Sequence, residues 1–262
     1  MNKFNIYVIP CKQGQKKDGV QYGGIDICKK MNLEYQLINY DNRKSIYNNW
    51  NNIEKQLNTL IDKNEQKCLF LGGDHSLIVP IFNHYLNNFK NNDLFLIYID
   101  AHADINTIES SKSGNYHGMP LSFLLGLNSQ NKKNNLLKPT NLFYIGLDDV
   151  EPQEWTILKN NNINYFKKND DISKIIKNIK RKIKSLSKNP MIYISLDVDA
   201  LDTEYIDSTG YPGKNRLKPN DIIKIINSFK LELIGLDIME FNPYLGNKNK
   251  SLETITYILD NI

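Results

Sequence analysis

Six short apolar runs along the chain predict buried β-strands. Each run has four to six residues, is rich in Ile, Leu, Phe and Tyr, and does not alternate strictly between apolar and polar positions. This pattern is typical of strands buried on both faces, as in a parallel sheet covered by helices. The runs extend from Phe4 to Ile9, Cys68 to Leu71, Leu94 to Ile99, Leu142 to Ile145, Met191 to Leu196 and Leu231 to Leu236.

Helical periodicity fills the intervals between these runs. From Asp170 to Lys188, apolar residues recur every three or four positions with lysines on the opposite face, and Asp170 or Asp171 can cap the start. Alternating strands and helices predict a single three-layer α/β/α domain over residues 1–262 with a central, mostly parallel sheet. The polar stretch 128–135 predicts a surface loop. Weaker helical patterns cover Trp50 to Lys63, Leu77 to Phe89, Asn220 to Phe229 and Ser251 to Leu259.

Composition and charge exclude several classes of protein. With 40% hydrophobic and 24% charged residues among 262, the chain is long and apolar enough to bury a core. Its three cysteines form no CxxC pair, which argues against a secreted disulfide framework and a zinc ribbon. No apolar run approaches the ~18 residues of a membrane span, and no signal-peptide pattern opens the chain. We therefore expect a cytoplasmic protein with no membrane partner and, because its net charge of +4 comes from scattered lysines, no nucleic-acid partner.

Histidines and carboxylates follow several predicted strands, at the edge where parallel sheets bind their ligands. Asp100, His102 and Asp104 come directly after one strand, at a spacing that places side chains on the same side of an extended segment. Asp197 and Asp199 repeat this spacing after another strand. Each motif alone has an ordinary interpretation, since a DxHxD or DxD segment can be a solvated turn.

The combination of these motifs indicates a metal centre. Several carboxylates buried in one crevice repel one another and lose their hydration unless cations neutralise them. Three of the four histidines, His75, His102 and His117, lie in glycine- or acid-rich segments, whereas His84 lies in a helical pattern. Oxygen-rich ligation with one imidazole per ion suits Mn²⁺ better than a thiolate-rich zinc site. We therefore predict two divalent ions.

Five motifs together resemble those of the ureohydrolase family, and within it the arginases. In chain order they are GGDHS, DAHADIN, SGNYHG, SLDVDALD and DIMEFNP. The resemblance covers nearly the whole chain, from the Gly14 to Gly24 segment to Pro243, and implies a three-layer α/β/α fold. It also implies two Mn²⁺ ions, one held by His75, Asp100, Asp104 and Asp197 and the other by Asp100, His102, Asp197 and Asp199.

The same resemblance implies hydrolysis of L-arginine to L-ornithine and urea. A metal-bridging hydroxide would attack the guanidinium carbon, since two cations lower the pKa of bound water. Asp104 would accept a hydrogen bond from this nucleophile and pass its proton towards the leaving amine. His117 would shuttle protons to solvent, and Glu240 would pair with the substrate guanidinium.

The resemblance also implies how an α-amino acid is recognised. Asn106, Ser113 and Asn115 would bind the α-carboxylate, although Ser113-Gly114-Asn115 is also ordinary turn chemistry. Glu151 and Glu154 would receive the α-amino group, and Glu151 stands where arginases usually carry aspartate. Agmatine has no carboxylate and would leave the Asn106 and Ser113 donors unpaired. Such unpaired polar groups would strongly favour arginine over agmatine.

Two departures from the family pattern leave alternatives open. Tyr211 stands where arginases have the threonine of a Gly-Thr-Pro segment, so it could narrow the guanidinium pocket, swing away or change substrate choice. The family resemblance implies a homo-oligomer. The chain ends at Ile262 without the C-terminal tail through which many arginases assemble, so we do not predict the trimer common in the family. The alternatives are an agmatinase, guanidinobutyrase or formiminoglutamase, an amide deacetylase of related fold with one metal, and a catalytically weak binding protein.

Overall fold

One parallel sheet of eight strands organises the chain. The computed structural model describes residues 4–61, 67–89, 93–128 and 135–262. The sheet order is β2-β1-β3-β8-β7-β4-β5-β6, and every neighbouring pair runs parallel. The strands are β1 (Phe4–Ile9), β2 (Gln36–Leu37), β3 (Lys67–Gly72), β4 (Leu94–Ile99), β5 (Leu142–Leu147), β6 (Asn164–Lys167), β7 (Met191–Asp197) and β8 (Leu233–Met239).

Helices cover both faces of the sheet, which confirms the predicted three-layer α/β fold. Successive residues of β4 point to opposite layers: Phe95, Ile97 and Ile99 pack with one core cluster, and Leu94, Leu96 and Tyr98 with the other. The first cluster contains residues of α1, α6, α7 and α8, and the second contains residues of α2 to α5. These helices are α1 (Gly23–Met31), α2 (Ile46–Leu60), α3 (Ile78–Asn88), α4 (Pro120–Leu124), α5 (Pro152–Asn160), α6 (Ile172–Leu186), α7 (Pro219–Ser228) and α8 (Lys248–Asp260).

The strongest sequence patterns match these elements closely. Helix α6 is capped by Asp171, whose side chain accepts a hydrogen bond from the Lys174 N–H at 2.9 Å. The sequence patterns missed the two edge strands β2 and β6, because β2 has two exposed residues and β6 has no fully buried one. That residues 1–262 form one domain stays a prediction. None of the described helices is long and apolar enough to cross a bilayer.

Two predictions of local structure were wrong. The strand predicted from Leu231 begins at Leu233, and Leu231 is 94% exposed in the turn after α7. Asn128, predicted to open a surface loop, is buried because its side chain accepts from the Ile108 N–H and donates to Ser122 Oγ. Most of that predicted loop, residues 129–134, lies outside the described residues.

Candidate active site

The sheet order brings the predicted chemical motifs together. Strands β3, β8, β7 and β4 are consecutive neighbours, so the segments that follow them meet at one edge. Gly73, directly after β3, has no room for a side chain, because a Cβ there would lie 1.7 Å from the Cys11 carbonyl oxygen. The segment that leads to His75 can therefore pack directly against the backbone of Cys11, whose carbonyl accepts from the Asp74 N–H at 3.1 Å.

His75 lies at the centre of the first group of ligand candidates. Its Nδ1 is 3.0 Å from Asp100 Oδ2, 3.1 Å from Asp197 Oδ2 and 3.6 Å from Asp104 Oδ2. Burial lowers the pKa of this imidazole, but the hydrogen bonds and charges of Asp100 and Asp197 outweigh burial and raise it well above the usual value. One imidazole nitrogen thus faces three carboxylates in a completely buried position.

A second group shares Asp100 with the first. His102 Nδ1 is 3.5 Å from Asp100 Oδ1 and 3.1 Å from Asp199 Oδ2. Within each of the groups His75–Asp100–Asp104 and Asp100–His102–Asp199, the ligand atoms lie within 4.8 Å of one another. Two adjacent groups with a common carboxylate are what a pair of neighbouring ions requires.

The carboxylates converge through turns, so the predicted extended conformation after β4 is wrong. The strand ends at Ile99, and Asp104 has a left-handed backbone with φ of 48°. Asp100 Oδ1 accepts from the His102 N–H at 2.7 Å, which closes a turn. Asp197 Oδ1 closes a similar turn by accepting from the Asp199 N–H at 2.8 Å. Each carboxylate uses one oxygen to shape its loop and directs the other towards the site.

Two buried oxygens support a cation at this site. Asp199 Oδ1 has no hydrogen-bond partner among the described residues, and Asp100 Oδ2 has only its 3.0 Å contact with His75 Nδ1. A buried carboxylate oxygen without a partner costs free energy. Burial raises the pKa of Asp199, and burial and the Asp199 charge together raise the pKa of Asp197. Divalent cations would compensate both effects, so the residues fit the predicted metal centre.

A second layer of polar residues fixes the His75 ring. His75 Nε2 lies 2.9 Å from Ser195 Oγ, and the Ser195 hydroxyl donates to Asp237 Oδ1 at 2.7 Å. Tyr193 donates to the other oxygen of Asp237 at 2.9 Å. Such outer contacts orient a metal-binding imidazole. Sequence reasoning missed Ser195 and Asp237, although both are polar residues within otherwise apolar strands, which was the available signal.

We call the buried ligand candidates around His75 and Asp100 the floor of the site. The three predicted catalytic residues, Asp104, His117 and Glu240, lie at this floor. Asp104 Oδ2 accepts from the Tyr98 hydroxyl at 2.8 Å. Glu240 also has a positive φ, of 65°, and its Oε1 lies 3.1 Å from His117 Nδ1. Burial lowers the pKa of His117, but the Glu240 carboxylate outweighs burial and raises it to about 9. Left-handed backbone at two such residues is typical of functional sites, where the surrounding structure maintains strain.

Glu240 has a further partner that the sequence did not indicate. Gln15 Nε2 donates to Glu240 Oε2 at 2.5 Å, across a separation of 225 residues. The His75 N–H donates to Glu240 Oε1 at 2.9 Å. The carboxylate predicted to meet a guanidinium is therefore already positioned by three parts of the chain.

A cavity of about 340 Å³ opens above the floor. His75 and Asp100 lie below it, and Asn115 does not line it. Four lining residues were missed by the sequence reasoning, namely Ser111, Lys112, Gly118 and Asp149. The sequence-predicted residues that line it are His102, Asp104, Asn106, Ser113, His117, Glu151, Glu154, Asp197, Asp199, Tyr211 and Glu240.

We call the more exposed end of the cavity its mouth. Several polar side chains there are hydrogen-bonded to one another. Asn106 Nδ2 and Gln153 Nε2 each donate to Glu151 Oε2 at 2.8 Å. Glu154 accepts the backbone N–H groups of Ile105 and Glu151 at 3.2 and 3.0 Å. Glu154 thus stabilises the start of α5 and the adjoining loop, a structural role that the sequence prediction did not include.

Tyr211 narrows the cavity and does not swing away. Its ring centroid lies 5.5 Å from that of His102 and 6.1 Å from that of His117, and Lys17 Nζ lies 4.4 Å from the ring. Arg216, whose side chain is 6% exposed, holds this loop, because its Nη1 donates to the Tyr211 carbonyl at 2.8 Å and to the Asp199 carbonyl at 2.7 Å. Arg216 therefore connects the mouth of the cavity with a metal-ligand candidate.

Comparisons with known proteins agree with this geometry. The model of the Arginase family matches residues 4–262. An arginase of Plasmodium berghei (strain Anka) is 37% identical over 234 residues, which are 81% of this chain but just under two thirds (65%) of that protein. The mitochondrial arginase-2 of Rattus norvegicus is 33% identical over 92% of this chain and 78% of its own length. The crystal structure of Entamoeba histolytica arginase in complex with L-ornithine has a TM-score of 0.88 at 24% identity, covers 99% of this chain and 98% of its own, and shows the shared fold.

Proposed function

Because the chain belongs to the arginase family, we propose that it is a binuclear manganese hydrolase that converts L-arginine and water to L-ornithine and urea. The observation that carries this proposal is the pair of His/Asp groups sharing Asp100 beneath a cavity lined by further carboxylates. The relatives in Plasmodium berghei and Rattus norvegicus are named arginases, and the Entamoeba histolytica arginase binds L-ornithine in its crystal structure.

Six residues would hold the metal. His75 and Asp104 would hold one ion, and His102 and Asp199 the other. Asp100, which belongs to both groups, and Asp197, 3.1 Å from His75 Nδ1, would complete the site. Hard carboxylate oxygens with one imidazole per group favour Mn²⁺. When bound, the two cations neutralise the carboxylates and acidify a water molecule for attack on the guanidinium carbon.

Asp104 and His117 would manage the proton. The Asp104 carboxylate lines the cavity and belongs to the first group, so it can accept the proton of the attacking water and pass it to the leaving nitrogen. His117, whose pKa the Glu240 carboxylate raises, can supply a proton from the solvent side as the carbon–nitrogen bond breaks. The attacking water releases its second proton to solvent and the leaving nitrogen gains one proton from Asp104 and one from His117, so the products are urea and ornithine with a protonated side-chain amine.

Glu240 and the mouth of the cavity would position the substrate. Glu240 is 4% exposed and lines the cavity beside His117, where a planar cation can pair with its carboxylate. Ser113 and Glu151 are more exposed lining residues and would receive the carboxylate and amino group of an α-amino acid. The cavity volume suits a ligand of this size.

Urea release from the Mn²⁺-loaded protein tests the proposal. L-arginine and agmatine are compared side by side, with a chelator-treated sample as the control. Chelator-sensitive urea from arginine alone supports the proposed reaction. Urea from agmatine alone would leave the metal chemistry standing but contradict the α-amino-acid substrate, and no urea from either would contradict the arginase reaction.

A further inference from the structure

The charges that line the cavity are strongly unbalanced. Seven carboxylates line it, from Asp104, Asp149, Glu151, Glu154, Asp197, Asp199 and Glu240. In the described part of the chain, Lys112 is the sole lysine or arginine among the lining residues. Metal ions would neutralise Asp104, Asp197 and Asp199, but the other four carboxylates would still attract a guanidinium or an amine and repel a ligand's carboxylate, which leaves Lys112 as the lining side chain that attracts it.

Lys112 is placed to meet a ligand at the mouth. It lies between Ser111 and Ser113, which also line the cavity, and its side chain is 77% exposed. Its Nζ is 3.5 Å from Glu151 Oε1, a weak contact for an ion pair. An ammonium group has three donors, so this contact leaves two for a ligand.

Besides the hydroxyls of Ser111 and Ser113, which accept in their hydrogen bonds and can still donate, other nearby donors are already engaged. The Asn106 amide, predicted to bind the α-carboxylate, donates to Glu151 at 2.8 Å. Lys17 Nζ donates to the Gly210 carbonyl at 2.7 Å and lies against the Tyr211 ring. Arg216 is committed to Asp148 and to two backbone carbonyls. Lys112 is therefore the cation with open donors at this end of the cavity.

We propose that Lys112 is a specificity residue whose ammonium group binds the α-carboxylate of the substrate, while Glu151 binds the α-ammonium group. This inference rests on the proposed α-amino-acid substrate and adds a residue that the family resemblance did not supply. Lys112 and Glu151 present one positive and one negative charge side by side, which complements the zwitterionic end of an amino acid. Agmatine has the amine and the guanidinium but no carboxylate, so it gains nothing from Lys112.

Ligand binding tests this inference without depending on turnover. Calorimetry compares L-ornithine with putrescine, which lacks only the carboxylate, on the Mn²⁺-loaded protein and on Lys112→Met. We expect ornithine to bind about tenfold or more weakly to the variant, the usual effect of losing a hydrogen bond between charged groups. Putrescine affinity should not fall. Lys112→Arg should retain most of the ornithine affinity, because the charge and reach are kept.

A matched control separates a direct contact from general electrostatics. Lys16 lies on the same edge of the sheet, in the loop after β1, but does not line the cavity. Lys16→Met removes the same charge and should leave the preference for ornithine over putrescine unchanged. An equal loss of both ligands in Lys112→Met, unchanged binding of both, or no ornithine binding by the parent would each overturn the inference.

The kinetic experiment distinguishes this inference from the proposed function. If Lys112→Met raises the KM for arginine with similar kcat, and weakens the binding of ornithine but not of putrescine, both stand. If arginine is hydrolysed equally well by the parent and Lys112→Met, the proposed function stands and the role of Lys112 is wrong. If the parent releases no urea but binds ornithine through Lys112, the proposed reaction is wrong and the carboxylate contact stands.

Discussion

The floor and the mouth of the cavity lie on the same sheet edge but are held very differently. On the floor, His75 and Asp100 are fully buried, and both ring nitrogens of His75 have polar neighbours within 3.1 Å. At the mouth, Tyr211 is 47% exposed and the Lys112 side chain 77% exposed. Buried groups with several fixed partners suit metal binding and catalysis, whereas exposed loop residues can adapt to a ligand. We therefore expect floor substitutions to change metal content or turnover, and mouth substitutions to change ligand preference.

The largest effect should come from the floor. Asp197→Ala removes a carboxylate 3.1 Å from His75 Nδ1. We expect loss of bound metal and a fall in urea release greater than the about 10–100-fold that follows substitution of a residue contacting a metal ligand. Metal analysis after dialysis and a urea assay measure both, with Asp260→Ala, at the exposed end of α8, as the control. Two bound ions with full activity would contradict the role of Asp197.

His117 should affect turnover but not metal content, because no ligand candidate depends on its side chain. His117→Asn removes the imidazole beside Glu240 and should lower kcat about a hundredfold, the lower end of the range for general acid–base catalysis. Added imidazole should partly restore the rate. Equal turnover in the variant and the parent would remove His117 from the mechanism, and loss of metal would assign it to the floor.

Ser195 should have an intermediate effect through His75. Ser195→Ala removes the hydroxyl 2.9 Å from His75 Nε2, and we expect about tenfold weaker Mn²⁺ binding with unchanged secondary structure. Mn²⁺ titration of the variant measures this change. Ser208→Ala is the matched control, since Ser208 is buried and its hydroxyl has no partner among the described residues. Equal Mn²⁺ affinity in the Ser195 variant and the parent would show that the ring is held by other contacts.

The smallest effect should come from Tyr211. Tyr211→Thr removes a ring that lies against His102 and His117, which widens the cavity while all six metal-ligand candidates keep their side chains. Competitive inhibition by Nω-methyl-L-arginine should strengthen by less than about tenfold, below the about 10–200-fold range for one methylene in a closed pocket, because Tyr211 is 47% exposed. Tyr211→Phe keeps the ring and serves as the control. Identical inhibition of the parent and Tyr211→Thr would show that the ring does not restrict the guanidinium end.

The sequence predicted the central strands and helix α6 because their buried residues recur with the period of each element. The edge strands β2 and β6 have little buried surface and so little pattern to recognise. Leu231 was misplaced because its hydrophobicity does not reveal whether the fold covers it. Cytoplasmic localisation and a homo-oligomer stay predictions, since the packing of one chain tests neither.

The amino-acid sequence by itself determined which ligand types exist and that they follow strand ends, because residue identity and periodicity are local properties. Only the tertiary structure decided which of these side chains remain open to a ligand. Glu240 is positioned by Gln15 from the far end of the chain, and Asn106 is bound to Glu151, whereas Lys112 keeps free donors. The physical reason is that hydrogen-bond partners and burial come from elements distant in sequence, which no local pattern records.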